Sequence, residues 1–265
     1  MMDINSILIW QKFNKYRFIE STHSYYYEDK RVGYSVTQFI HKFYEQFDSE
    51  TISKKYAKKH GLNQEDVLAE WKKSGDISST TGTIIHSYLE NAKRGKYFDI
   101  DYSKAEQLGI YEDVKNRVEI LLPKADAFHN DTKDRLFPIQ LEYTVGIKDI
   151  IAGNIDLLCW NDYAKEFQIW DYKNTKKIEQ TNWYGRNMLE SFSYLPDCNY
   201  NHYSVQLNMY KAIIQRELGI QIGGCFIVHF DYTKPGNDFI IYPCEDLQYE
   251  CNIELEKLIK ETSRL

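Results

Sequence analysis

The chain has 265 residues, 43% hydrophobic and 27% charged, which is enough to bury a substantial core and excludes a disordered protein. Its net charge of −6 excludes a general nucleic-acid-coating protein, because no global field draws the molecule toward phosphate. A metal nuclease is not excluded, since its carboxylates attract phosphate only once a cation is bound.

Residues 1–20 carry a mixed pattern with Ile7, Leu8, Ile9, Trp10, Phe13 and Phe18, which predicts a short helix or an irregular cap. Tyr25 to Tyr27, the polar Glu28–Arg31 and Val32 to Tyr34 predict a small β-hairpin. A helical pattern then opens at Ser35-Val36-Thr37, with Ser35 or Thr37 as cap. Residues 50–73 continue helical and contain Lys54, Lys55, Lys58, Lys59, Lys72 and Lys73. These lysines form either a solvated face or a local basic patch for phosphate backbones.

The run Ser78-Ser-Thr-Thr-Gly82-Thr83 leads into the next predicted helix, with Gly82 at its start. His86 and Glu90 fall four residues apart on one face of that helix. His86 is either a metal ligand or an ordinary hydrogen-bonded histidine. Residues 103–130 read as one or two helices with an apolar stripe from Ala105 to Leu122. Pro138 to Val145 is a strand, within which Glu142 points toward the following hairpin or away from it.

The stretch Ile151 to Lys173 organises the rest. It parses as two apolar strands joined by a polar turn, Asn161 to Lys165. Alternation places Phe167, Ile169, Asp171 and Lys173 on one face and Gln168, Trp170 and Tyr172 on the other. A hairpin centred near Tyr163 and Ala164 sets Asp156 opposite Asp171. Two carboxylates and a lysine then converge, and burying the like charges is costly unless a cation neutralises them. Paired Asp oxygens suit Mg²⁺ or Mn²⁺. The plainer reading makes both acids solvated strand-end residues.

Asn174 to Asn201 is polar and aromatic, with Trp183, Tyr184 and Pro196, and reads as an ordered loop or short helices over the cleft. Tyr203 to Leu218 is a helix closed by Gly219. On it, Gln206 and Tyr210 share a face that is half core and half cleft. Cys225–Tyr232 and Phe239–Tyr242 form a second hairpin, and a helix from Asp246 to about Thr262 ends the chain. The 22 tyrosines serve either base stacking or ordinary half-buried packing.

Cys159, Cys198, Cys225, Cys244 and Cys251 include no Cys-x-x-Cys pair, so zinc-ribbon ligation is not signalled. Their odd number fits a reducing cytoplasm. No apolar run nears the roughly 20 residues that span a bilayer, so no membrane partner is expected. We see no linker, and the whole chain, 1–265, reads as a single domain with a hairpin and helical cap (1–75) ahead of a core (76–265).

Gly-Thr-x-x-His at 82–86, Gly-Asn-Ile-Asp at 153–156, Asp-Tyr-Lys at 171–173 and Gln-x-x-x-Tyr at 206–210 together resemble the PD-(D/E)XK nuclease superfamily, in the order of its RecB-type branch. The Tyr-rich hairpin with Ser-Val-Thr at 35–37, and Pro196-Asp-Cys-Asn-Tyr-Asn-His-Tyr203, resemble phage- and virus-encoded exonucleases of that branch. The likeness covers roughly residues 22 to 232. Ile155 stands where some members have Pro, and no Cys precedes Cys159, so no iron–sulfur cluster is expected.

The resemblance implies an α/β fold of restriction-endonuclease type: a central mixed sheet flanked by helices, with an N-terminal helical extension. It implies Mg²⁺ or Mn²⁺ held by Asp156, Asp171, His86 and the Tyr172 backbone carbonyl, with Glu142, an upstream acid, supporting those ligands or holding a second metal. Lys173 would orient or deprotonate water and stabilise phosphate charge, and Gln206 and Tyr210 would position it or the DNA. Thr83 and Lys54, Lys55, Lys58 and Lys59 would contact DNA. The implied activity is a metal-dependent DNA exonuclease acting on linear ends in phage or mobile-element recombination or replication, in the host cytoplasm, beside a single-strand annealing or replication protein. The alternatives are a DNA-binding or scaffolding module with a vestigial site and a structure-specific endonuclease.

Overall fold

The computed structural model describes residues 9, 11–22 and 24–264; the expectations for Ile7, Leu8 and Trp10 lie outside them. The chain folds as α/β, a mixed sheet with helices on both faces. Residues 9 and 11–13 are helical, as expected, whereas Tyr16–Ile19 is a strand, β1, where a helix or irregular cap is expected. It pairs with β2 (Ser24–Tyr27), which pairs with β3 (Lys30–Arg31). The hairpin therefore gains a third strand, and Tyr34 leaves it to join the main sheet as β4 (Tyr34–Ser35).

Ser35 caps α1 (Val36–Ile40) reciprocally: its Oγ accepts from Gln38 N at 3.0 Å while its own N–H donates to Gln38 Oε1 at 3.1 Å. This capping box satisfies two of the amides that a helix start leaves unpaired. The lysine-rich helix α2 (Ser49–His60) ends where Gly61 adopts the left-handed conformation at φ 67°, which costs glycine little. It buries only Ser53 and Ala57, so Lys54, Lys55, Lys58 and Lys59 all stand in solvent.

Helix α3 (Gln64–Lys93) begins at the Asn63 cap and runs unbroken for 30 residues. It corrects the expected helix start at Gly82, which lies mid-helix, and it carries the chain straight through the expected boundary at residue 75. The hydroxyl run reads as a break in sequence but is absorbed by the helix. Ser78 Oγ donates to Ser74 O and Thr83 Oγ1 to Ser79 O, each four residues back. Such back-bonding lets Ser and Thr sit inside a helix. Helices α4 (Ser103–Gln107) and α5 (Tyr111–Thr132) follow, and Val114, Val118, Leu121, Ala125 and Phe128 form the buried stripe of α5.

The main sheet comprises β4, β5 (Leu136–Ile147), β6 (Ile151–Asn161), β7 (Glu166–Lys173), β8 (Ile222–His229) and β9 (Ile240–Pro243). The β6–β7 turn is tied by Asn161 Oδ1, which accepts from Tyr163 N and Ala164 N at 3.0 and 3.1 Å. Antiparallel pairing runs from Asn161↔Glu166 to Leu157↔Trp170 and stops there. Extending that register by one sets Asp156 against Asp171, as the sequence predicts. Beyond this point β7 continues against β8 alone, and the vacated edge of β6 is taken up by β4 at Ile151 and Ala152. The sheet therefore opens between Ala152 and Leu157 on one edge of β6.

Strands β7 and β8 are parallel, which requires a crossover. The segment after Lys173 and α6 (Asn199–Leu218) supply it, with Gly219 closing the helix at φ 68°. Helix α6 starts one turn earlier than its apolar pattern suggests. It packs on the face carrying Phe167 and Ile169, while Leu89 and Phe128 cover the face carrying Trp170 and Tyr172. Helix α7 (Gln248–Thr262) packs against α6. Phe13, Tyr16 and Tyr25 belong to the same core cluster as Ile155, Ile169 and Ile213, so the N-terminal hairpin shares the main core.

Gly153 is required for close approach. A Cβ there would meet Tyr210 Cε1 at 2.6 Å and Val36 Cγ2 at 3.1 Å. Gly153→Ala is therefore expected to destabilise by about 1–3 kcal/mol, the usual cost of overpacking, read from urea unfolding. A change near zero would mean that α6 is free to shift.

Candidate metal centre

Asp156 lies where β6 loses its partner, so its carboxylate replaces a ladder bond: Oδ2 accepts from Tyr172 N at 2.8 Å. The carbonyl of the same Tyr172 accepts from His86 Nε2 at 2.9 Å. Because Nε2 carries that proton, Nδ1 is the ring nitrogen turned toward the acids. It lies 3.4 Å from Asp156 Oδ2 and 3.5 Å from Glu142 Oε1. Glu142 answers the ambiguity about its direction, since it faces His86. Its backbone sits in the left-handed region at φ 46°, an uncommon conformation for a non-glycine residue that interrupts the alternation of β5.

Ligand atoms of His86, Glu142 and Asp156 all lie within 4.8 Å of one another, the arrangement among the described residues able to hold a metal ion. Two further observations fit a cation. Glu142 Oε1 is buried without a hydrogen-bond donor, and buried carboxylate oxygens normally have one. One imidazole with carboxylates also suits divalent ions of the first row and Mg²⁺.

Asp171 and the Tyr172 carbonyl, both expected as ligands, are engaged elsewhere. The Lys173 ammonium folds back two residues along the strand to lie 2.5 Å from Asp171 Oδ2. The carbonyl is taken by His86. Lys173 also sits 4.8 Å from the centre of the Tyr203 ring, a contact that stabilises a cation. Tyr203 was not singled out as a site residue, although its spacing of three and seven from Gln206 and Tyr210 puts all three on one helix face. Gln206 Nε2 donates to the Tyr210 hydroxyl at 2.9 Å, and Tyr210 is buried.

A cleft of about 480 Å³ opens beside the cluster, lined by Thr83, His86, Glu142 and Asn154, with Lys104 and Glu20 on its wall 4.0 Å apart. Thr83 therefore lies at the cleft, whereas the four lysines of α2 are not among its lining residues. A second hollow of about 500 Å³ lies at the turn end of β6 and β7, around Trp160 and Glu166, and is lined by none of the site residues.

The electrostatics follow from burial. Asp171 is pushed up to about 6 by burial, against the attraction of Lys173 and with the charge of Asp156 adding to the rise. Burial also pushes Glu142 up, helped by Asp156. For His86 burial acts downward, but the charges of Asp156 and Glu142 outweigh it and hold the imidazole well above its ordinary value. Asp156 is held low despite burial, chiefly by His86.

Protein-family models and curated proteins yield no match to this chain. Among solved structures, "Crystal structure of SSO0001" is similar at 10% identity and a TM-score of 0.29, over 66% of this chain and 86% of that one. A likeness this slight carries no argument about fold or function.

Asp171, Glu142 and His86 have folded-state values above their ordinary ones, so each favours the folded state at low pH and loses that contribution as pH rises through its folded value. Asp156 acts oppositely, but only below the ordinary Asp value of 3.8. In chelator, the melting temperature is therefore expected to be higher near pH 6 than near pH 8. A divalent cation displaces those protons, so its stabilisation should be larger near pH 8. Scanning fluorimetry across this range checks both signs; an equal metal-induced shift at the two pH values would contradict the cluster.

Proposed function

We propose that this protein is a divalent-metal-dependent deoxyribonuclease with a restriction-endonuclease-like core, acting as an exonuclease on linear DNA with Mg²⁺ or Mn²⁺ in phage or mobile-element recombination or replication. The observation that carries this reading is the meeting of His86, Glu142 and Asp156 where the sheet opens, with the Asp171–Lys173 pair on the neighbouring strand. Phosphodiester hydrolysis needs an activated water, neutralised non-bridging oxygens and a stabilised leaving oxygen.

His86, Glu142 and Asp156 would hold the cation, which when bound lowers the pKa of water and neutralises phosphate charge. Lys173 supplies a second positive charge from within a buried strand, where electrostatic effects are stronger than in water. Asp171 and the Tyr203 ring keep that ammonium in place. Tyr210, fixed by Gln206 and by the close approach at Gly153, backs the strand carrying Asp156. Thr83, at the cleft wall, and the exposed lysines of α2 are the groups available to the DNA backbone.

End-labelled linear duplex, single strands and closed circles, incubated with Mg²⁺, Mn²⁺ or EDTA, test the reading. Linear DNA is expected to be degraded from its ends, circles to survive, and EDTA to stop the reaction. Asp156→Asn and Lys173→Ala should each slow cutting by about 10²-fold or more, the scale of losing one electrostatic stabiliser. Equal cutting of circles would point to an endonuclease. No cutting with any metal would leave a DNA-binding or scaffolding module.

A further inference from the structure

Trp183 and Tyr184, neighbours in sequence, are 84% and 85% exposed. Single exposed aromatics are ordinary, but two adjacent ones on an ordered turn are not. The turn is held from both sides. Asn182 Oδ1 accepts from Tyr184 N at 2.8 Å and Arg186 N at 3.3 Å, while Asn182 Nδ2 donates to Asp197 O at 2.6 Å. Asp197 N returns a bond to Arg186 O at 2.9 Å, and Asn187 bridges Pro196. Ile178, Met188 and Phe192 bury the flanks. The backbone beneath both rings is therefore ordered before any ligand arrives.

The surroundings are polar and cationic. Residues 180–187 read Gln-Thr-Asn-Trp-Tyr-Gly-Arg-Asn, without an aliphatic side chain. Between 174 and 187 stand Lys176, Lys177 and Arg186 against Glu179 alone, in a chain of net charge −6. Lys177 pairs with Glu179 and Arg186 with Glu45, and the Arg186 guanidinium also lies 5.7 Å from the Tyr184 ring. Two open rings beside cations match bases and phosphates, since base stacking is sequence-tolerant and is reinforced by arginine.

The segment leaves β7 directly after Lys173, and Asn174 Nδ2 lies 3.6 Å from the Cβ position of Gly82, one turn from His86 on α3. We propose that Trp183 and Tyr184 form a stacking platform for the bases of a single-stranded DNA segment leading to or from the metal centre. This deepens the nuclease reading and rests on it for the direction of the strand. Binding to the platform needs no metal.

The test uses the full chain in EDTA with a fluorescent oligo(dT) of about 12 nucleotides, read by anisotropy. Trp183→Ala and Tyr184→Ala should each weaken binding by about 5- to 150-fold, the range for loss of one stacked base. Trp183→Phe should retain most of the affinity, and an abasic oligomer should bind wild type and Trp183→Ala alike. Both rings are exposed, so melting temperatures should not change. Binding by Trp183→Ala within twofold of wild type would overturn the proposal. So would a concentration-dependent dimer abolished by the substitution, which would assign the rings to self-association. If the variants lose oligonucleotide binding while wild type cuts no DNA, the platform stands and the nuclease reading fails. If wild type cuts DNA and the variants bind and digest tailed duplexes equally well, the reverse holds.

Discussion

The backbone of Tyr172 ties together the two sides of the site. Its N–H donates to Asp156 and its carbonyl accepts from His86, so one strand residue, through the two peptide groups that flank its Cα, positions a strand carboxylate and a helical imidazole at once. This is possible only because β7 has parted from β6 after Trp170. Had pairing continued, neighbouring backbone groups of β6 would have occupied Tyr172, and Asp156 would have had no reason to turn inward. The same opening admits His86 from α3, on the sheet face covered by Leu89 and Phe128.

Around that residue the charges are arranged to compensate one another. Asp156 and Asp171 are both nearly buried, and buried ions without partners are strongly unfavourable. His86 balances Asp156 and Glu142, while Lys173 balances Asp171. The compensation is incomplete, since Glu142 Oε1 lacks a hydrogen-bond donor. An additional cation would satisfy it. The ion pair on Asp171 shows how the chain itself answers that demand, with the nearest ammonium on the same strand.

Packing holds these groups in register. Gly153 lets Tyr210 approach the backbone three residues before Asp156, and Gly146 does the same for Tyr16, where a Cβ would lie 2.8 Å from that ring. The N-terminal strands are thereby welded to the strand that carries Glu142. Helix α3 then runs unbroken from the α2 hairpin to His86, so the cap and the site are two ends of one element.

Local chemistry made much of this legible in the sequence. The Asn161–Lys165 turn and strict alternation along Glu166–Lys173 defined the hairpin, its faces and the register that opposes Asp156 to Asp171; Ser35 and Gly219 marked helix ends through their own side chain and φ. The motifs at 82–86, 153–156 and 171–173 carry His86, Asp156, Asp171 and Lys173, which the fold brings into two adjoining ion pairs. Other features had no local signature. The Ser/Thr run at 78–83 resembles a helix start, but α3 runs through it with Thr80, Thr81 and Ile84 buried. The inward turn of Glu142, the capture of the Tyr172 carbonyl by His86 and the placement of Tyr203 under Lys173 all depend on partners remote in sequence. Residue order therefore determined which groups each strand and helix offers, because periodicity and turn preference act over a few residues. Which of those groups meet was decided by tertiary structure, because that depends on where β6 and β7 separate and on the helices that close over the gap.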